Sequence, residues 1–260
     1  FMVGAFFEHA WRKKELPQFF KATGVLIVAG LIGVSINLSN LYHTYEYSKE
    51  TMRGKSELKY EGAAAKQTSS GLNRDYITQW SYGIGETFSL LVPNVKGGAS
   101  VPLSRSEKAM EKANPMYSSL YSQLTQYFGD QPMTSGPVYV GAFVLMLFIL
   151  GCFIVKGPMK WALLGATIFS ILLSWGKNFM GLTDFFIDYI PMYNKFRAVS
   201  SILVIAEFTI PLLAILTLKE ILTKPELLKE KLKYIYISFG LTGGLALLFA
   251  IAPRLFFPTY

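Results

Sequence analysis

Five long apolar stretches, set apart by short basic links and one long polar segment, constrain this chain more than any other feature. Residues 19–42 carry only Lys21, 138–155 and 161–176 carry no charge, 198–218 carry only Glu207, and 234–253 carry none. A hydrocarbon core of ~30 Å needs ~20 helical residues at ~1.5 Å each. The 161–176 stretch would reach only ~24 Å, and Lys160 and Lys177 at its ends are able to snorkel outward. One globular core could not sheathe five such rods. The expected fold is therefore all-α: a polytopic helical membrane protein with about five transmembrane helices.

The basic residues give these spans a direction, because short links rich in Lys and Arg stay on the cytoplasmic side. Arg12, Lys13, Lys14 and Lys21 gather before or at the start of the first span; Lys156 and Lys160 lie between the second and third. Lys219, Lys224, Lys229, Lys231 and Lys233 lie between the fourth and fifth. Alternation then puts residues 43–136, a large loop, and 177–197, a smaller one, outside the cytoplasm. Residues 1–18 read as the end of a preceding helix and a cytoplasmic connection, and 219–233 as a cytoplasmic amphipathic connection with Pro225 near a helix start. The apolar opening, without a basic leader, and the ending at Tyr260 lead us to expect an internal portion of a longer protein.

Composition supports lipid as the solvent: 52% of residues are hydrophobic and 16% charged, against roughly 25% charged in a soluble domain. The net charge of +8 sits between apolar runs and not on one soluble face, which argues against a nucleic-acid partner. The single cysteine, Cys152, lies inside an apolar run and excludes an intrachain disulfide. With only His9 and His43 present, no histidine-built metal site is expected.

The large loop has its own pattern. Ser104-Arg-Ser-Glu107 has the form of a capping box, predicting a helix that Asn114-Pro115 ends. Met116, Leu120 and Leu124 predict a second helix, stopping near Gly129. Lys66 to Gly71 is polar and reads as a flexible link. Gly83-Ile-Gly85 lacks the third glycine and the strand-turn-helix setting of a phosphate loop. In 177–197, Lys177, Asp184, Asp188, Lys195 and Arg197 crowd beside six aromatic residues, and Phe185-Phe-Ile-Asp-Tyr-Ile190 is too short to span, so a re-entrant or interfacial segment is expected. Gly240-Leu-Thr-Gly-Gly244 offers a small-residue face for close helix packing.

Candidates for chemistry are few. Glu207 stands about midway along the fourth run, where an acid costs roughly 2.5 to 3.5 kcal/mol. It reads either as an ion relay or as a carboxyl hydrogen-bonded to a neighbouring helix, near a kink expected at Pro211. Lys195 and Arg197, just outside that helix, suit a phosphate or simple boundary anchoring. Glu86, Asp130, Asp184 and Asp188 are the loop acids nearest apolar or aromatic neighbours, available as general base or divalent-ion ligand, or purely structural.

Several segments, Leu38-Ser-Asn-Leu-Tyr42, Tyr47-Ser-Lys-Glu-Thr-Met-Arg-Gly-Lys55, Asp75-Tyr-Ile-Thr-Gln-Trp-Ser-Tyr82, Tyr127-Phe-Gly-Asp-Gln-Pro132 and Ile190-Pro-Met-Tyr-Asn-Lys-Phe-Arg197, resemble the bacterial YfhO-like membrane proteins, in particular their Bacteroides-type branch. That family is similar to the GT-C class of membrane glycosyltransferases. The resemblance implies a protein of the bacterial cytoplasmic (inner) membrane that transfers a sugar from a polyprenyl-phosphate carrier to an envelope glycan or glycolipid acceptor outside the cytoplasm. It implies no cofactor, leaves a divalent metal open, and gives Lys195 and Arg197 a lipid-phosphate role through a Pro-x-x-x-x-Phe-Arg pattern. It also places the principal catalytic acid before Phe1, leaving Glu86, Asp130, Asp184 and Asp188 as secondary candidates. A transporter or flippase built on Glu207, and a non-catalytic envelope scaffold, are the alternative readings.

Overall fold

The computed structural model of the chain describes residues 2–51, 54 and 71–256. Most of the predicted polar link, Lys66 to Ser70, and the end of the Tyr47–Lys55 motif fall outside them. Helices α1 (Met2–Arg12), α2 (Leu16–Ser35) and α3 (Leu38–Lys49) open the chain. Short helices α4 (Arg74–Ile77), α5 (Glu107–Met110) and α6 (Ser118–Gln123) punctuate the next segment. Then come α7 (Ala142–Ile154), α8 (Pro158–Ser174), α9 (Met180–Tyr189) and α10 (Val204–Thr223). The chain continues through α11 (Leu227–Glu230), α12 (Leu232–Phe239), α13 (Leu245–Ile251) and α14 (Pro253–Phe256). Among the described residues there is no strand, only two isolated bridges, Val95 with Gly97 and Pro102 with Thr125.

The architecture is that of a helical membrane protein. Three helices are long and apolar enough to cross a bilayer: Leu16–Ser35, Val199–Thr223 and Leu232–Ile251. The first stops at Ser35, short of the expected Tyr42, because Ile36 and Asn37 break the helix before the polar α3. The last contains a π-helical turn over Gly240–Gly244 that joins α12 to α13. α8 is followed by a 108° bend into Gly176–Tyr189, a broken span or a re-entrant piece, as expected for a segment too short to cross twice. α7 has only 13 residues, or ~20 Å of helix, and residues 138–141 of its apolar run precede it without helical structure.

α7, α8 and α10 form the centre. Leu147, Phe148, Leu150 and Ile154 of α7 are buried, as are Ala206, Ile210, Leu213 and Thr217 of α10. Phe148, Leu163, Leu203, Ala206, Ile210 and Leu213 belong to one cluster, which Tyr82 and Leu90 join from the 71–137 segment. Thr167 and Thr209 share a hydroxyl hydrogen bond of 2.6 Å between α8 and α10. α10 runs through Pro211 as one helix. No residue of α2 is buried; its visible anchorage is on α1, where the Phe7 ring meets Phe19 edge-on at 5.4 Å.

Close helix packing through small residues was expected at Gly240–Gly244, and the tight glycine contact is found at Gly151. A Cβ on Gly240 or Gly244 would meet nothing within 4 Å, and one on Gly243 would meet only the Phe239 ring, so although the turn lies against α7 with Thr242 buried, none of these glycines is required by a close approach. They instead accompany the π-helical turn, a local widening at which Thr242 bonds back to Ser238. On α7, a Cβ at Gly151 would lie 2.2 Å from Thr217 Oγ1 and 3.0 Å from Leu213 Cγ. Gly151 thus sets the α7–α10 distance.

Two loop helices also differ from expectation. Ser106, not Ser104, precedes α5 and makes no side-chain cap, because Leu103–Arg105 forms a 3₁₀ turn that takes the capping residues out of register. Asn114-Pro115 does not end α5, which stops at Met110; the Asn114 side chain instead accepts from Met116 N at 3.0 Å and starts the next turn. α6 then ends at Gln123, well before Gly129, as Leu124 turns extended to pair with Leu103.

Gly151→Ala should destabilise the detergent-solubilised protein by about 1–3 kcal/mol, read as a lower thermal midpoint, and Thr217→Ala on that background should restore part of the loss. Gly240→Ala should leave the midpoint unchanged.

Candidate functional site

The 71–137 segment lies over the corner where α8 ends. Gly176, at φ +46°, makes the bend; a Cβ there would fall 2.1 Å from Ser81 Oγ. Ser81 Oγ instead accepts the Lys177 amide at 2.8 Å, and Tyr82 N donates to the Ser174 carbonyl at 2.8 Å. Thr183 Oγ1 closes the other side, donating to the Gly176 carbonyl at 2.9 Å. Ser200 N donates to the Trp80 carbonyl at 3.1 Å, which joins the segment to the approach to α10.

A guanidinium clamp reinforces the docking. Asn73 caps α4 by accepting from Asp75 N, and Arg74 reaches α9, with Nη1 on Asp184 Oδ1 and Nη2 on Asp188 Oδ1 at 2.7 Å. Asp184 and Asp188 stand one helical turn apart, matching the two-pronged donor. The pairs are partly exposed, so they add modest stability and chiefly direction. Two of the four loop acids singled out from the sequence are therefore occupied by a cation 110 or more residues away.

Glu86 is the buried hub, at 4% exposure. Its Oε2 accepts from Gly83 N at 2.5 Å, and its Oε1 accepts from the Tyr127 hydroxyl. Tyr127 in turn accepts from Gln131 N at 2.9 Å. Gly129 passes so close that a Cβ would sit 2.1 Å from Glu86 Oε1. Nearby, the Tyr82 and Ser89 hydroxyls bond at 2.5 Å, and Ser89 donates to the Val138 carbonyl. A buried carboxylate needs such partners. Burial, then the fields of Glu86 and Glu207, push the Tyr82 phenol up to about 12 against a partial offset from Ser89. Tyr127 is raised as well, by burial first and then by its bond to Glu86. The Gly83 amide of Gly83-Ile-Gly85 is thus taken by a carboxylate of the chain itself.

Asp130 is different: it is exposed, and its Oδ2 accepts from Asn178 Nδ2 at 3.1 Å. The same amide donates to the Tyr82 carbonyl at 3.0 Å, and Lys177 Nζ to the Asp130 carbonyl at 3.1 Å. Asp130, Asn178, Glu86 and Lys96 line an open recess of about 230 Å³ with Phe256 at its side. This is a polar cup able to take a hydroxylated ligand through planar acceptors and donors.

A second recess, about 260 Å³, lies before α10 and is lined by Tyr193, Phe196, Arg197, Val199 and Ile202. Arg197 is exposed yet fixed: Nη1 donates to the Tyr76 hydroxyl at 2.7 Å, and the guanidinium lies 5.2 Å from the Tyr76 ring and 5.0 Å from that of Trp80. Left-handed Met192 (φ 72°) and Ala198 (φ 65°) shape this turn. Lys195 is in the same turn, half-buried, but does not line the recess. Glu207 lies within the continuous helical span Val199–Thr223, just after its 3₁₀ start at Val199–Leu203, and its side chain is exposed on the outside of the helix.

Among the described residues, no three His, Cys, Asp or Glu side chains gather as metal ligands. Sequence reasoning missed Arg74, Tyr127, Asn178 and Trp80; only the aromatic spacing of Tyr76 to Tyr82 hinted at a packed surface. Compared with protein-family models, curated proteins and solved structures, the chain finds no match.

Because Tyr82 favours its neutral form when folded, its contribution to stability is complete below pH 10.0 and is lost as pH rises towards about 12. A tyrosinate absorbance titration of the folded protein should show a late-ionising fraction that vanishes on denaturation. A single transition at the ordinary phenol value would contradict the buried hub.

Proposed function

We propose that the chain is part of a membrane glycosyltransferase-like protein that moves a sugar from a polyprenyl-phosphate carrier to an acceptor outside the cytoplasm. The observation that carries this reading is Arg197: an exposed guanidinium, held by two aromatic rings at the head of an apolar helix and beside a largely apolar recess. A phosphate joined to a long isoprenoid asks for that pairing of cation and grease. Lys195, in the same turn, adds positive charge without lining the recess. The YfhO-like resemblance supports the same reading.

In this scheme the acceptor hydroxyl attacks the anomeric carbon, the bond from that carbon to the carrier phosphate breaks, and the phosphate leaves with the electron pair. Arg197 neutralises the leaving group. The resemblance places the principal acid before Phe1; of the four loop acids, Glu86 is buried and Asp184 and Asp188 are paired with Arg74, which leaves Asp130 as the one open to assist with the hydroxyl proton. Its recess suits an acceptor sugar. In proteoliposomes supplied with a polyprenyl-phosphate sugar, Arg197→Ala should lower turnover by about 10²-fold and Arg197→Lys by less. Unchanged turnover would remove the phosphate role.

The reading also needs the spans to run as five crossings of the bacterial inner membrane, with 71–137 outside. In a Cys152→Ser background, a cysteine at Asp130 should react with an impermeant maleimide on intact spheroplasts, and one at Lys229 should not. The reverse pattern would invert the topology.

A further inference from the structure

At the end of α7 and α8 remote from the 71–137 segment, two parts of the chain far apart in sequence form an open cleft of about 690 Å³. α1 contributes Glu8, His9 and Arg12; the α7–α8 turn contributes Lys156, Lys160 and Trp161. Arg12, Lys156 and Lys160 are cations, and Glu8, the one acid of the lining, is bound to Arg12 at 2.7 Å. Lys13 and Lys14 follow directly in the link to α2.

Lys160 is preset. Its Nζ donates to the Cys152 carbonyl at 3.0 Å, one of the acceptors that the end of α7 leaves without a helical donor, and lies 5.0 Å from the Trp161 ring centre. Two of its three protons still point elsewhere. Lys156 is exposed, and Trp161 is 63% exposed. The apolar helices α2, α7 and α8 all start or stop within a few residues of this cleft, which sets it at the hydrocarbon–water boundary. α1 adds exposed Phe6 and Trp11 beside the charges.

An occupant must offer anionic oxygens to Arg12, Lys156 and Lys160 while its apolar part runs along the flanking helices. We infer that this cleft binds the headgroup of an anionic glycerophospholipid. The inference needs only that these helices lie in a bilayer; it is independent of any transferase activity.

The test uses the full chain with Trp161 as sole tryptophan (Trp11, Trp80 and Trp175→Phe) in phosphatidylcholine vesicles containing brominated phosphatidylglycerol or, at equal fraction, brominated phosphatidylcholine. Trp161 fluorescence should be quenched several-fold more by the anionic lipid, even with excess inorganic phosphate. Lys156→Gln and Arg12→Gln should each reduce the preference about fivefold. Equal quenching by both lipids, an undiminished preference in the double variant, or its loss to inorganic phosphate would overturn the inference. Native mass spectrometry of the chain with all four tryptophans gives an independent reading: retained phosphatidylglycerol should be lost in the double variant, and equal retention would overturn it too.

Discussion

Everything at the candidate site hangs on the contact between Ser81 and Gly176. A residue at φ +46° with a serine oxygen 2.1 Å from where a Cβ would be can only be glycine without rearrangement. That glycine turns the chain through 108° after α8, and the turn frees the Lys177 amide to be taken by Ser81. From the corner, Lys177 and Asn178 reach Asp130, and α9 presents Asp184 and Asp188 to Arg74. Without the bend, the acids and cations of 177–197 would trail along one helix and meet nothing in the 71–137 segment.

Charge is distributed with consistent economy around that corner. Glu86 is sequestered by a phenol and an amide, and the two flanking phenols are held neutral by burial. Asp184 and Asp188 share one guanidinium. Asp130 stands exposed at one recess and Arg197 at the other, and each side chain is bonded to uncharged neighbours: Asn178 for the acid, Tyr76 and Trp80 for the cation. A polar cup and a cation beside an apolar recess therefore hang from the same Trp80–Tyr82 strip, through Ser200 N to the Trp80 carbonyl and Asn178 to the Tyr82 carbonyl. This shared support is what makes a two-substrate reading reasonable.

Much of the scaffold was legible because a bilayer imposes length and polarity on any chain that enters it. The apolar runs near 19–42, 198–218 and 234–253 hold the three long helices, and the aromatic, charged 177–197 segment does contain a piece too short to cross. The Lys195–Arg197 turn was legible in its placement just before α10. The roles of individual groups were not. Spacing along the chain could not reveal that Arg74 pairs with Asp184 and Asp188, since 110 and 114 residues separate them. Nor could glycine pattern distinguish Gly151, where a Cβ would strike Thr217, from Gly240 and Gly244, where one would meet nothing.

By itself, then, the sequence determined the solvent and the secondary structure: its charge-free runs demand hydrocarbon, and hydrocarbon demands helices that satisfy their own backbone. It also determined which polar residues sit close to helix ends, because position relative to an apolar run is a local property. Only the tertiary structure decided which acids are sequestered and which are open, where helices touch, and that α1 and the α7–α8 turn share a basic cleft. Those outcomes depend on contacts between segments far apart along the chain, and a carboxylate becomes buried hub, salt-bridge partner or open acceptor according to the neighbour that folding brings to it.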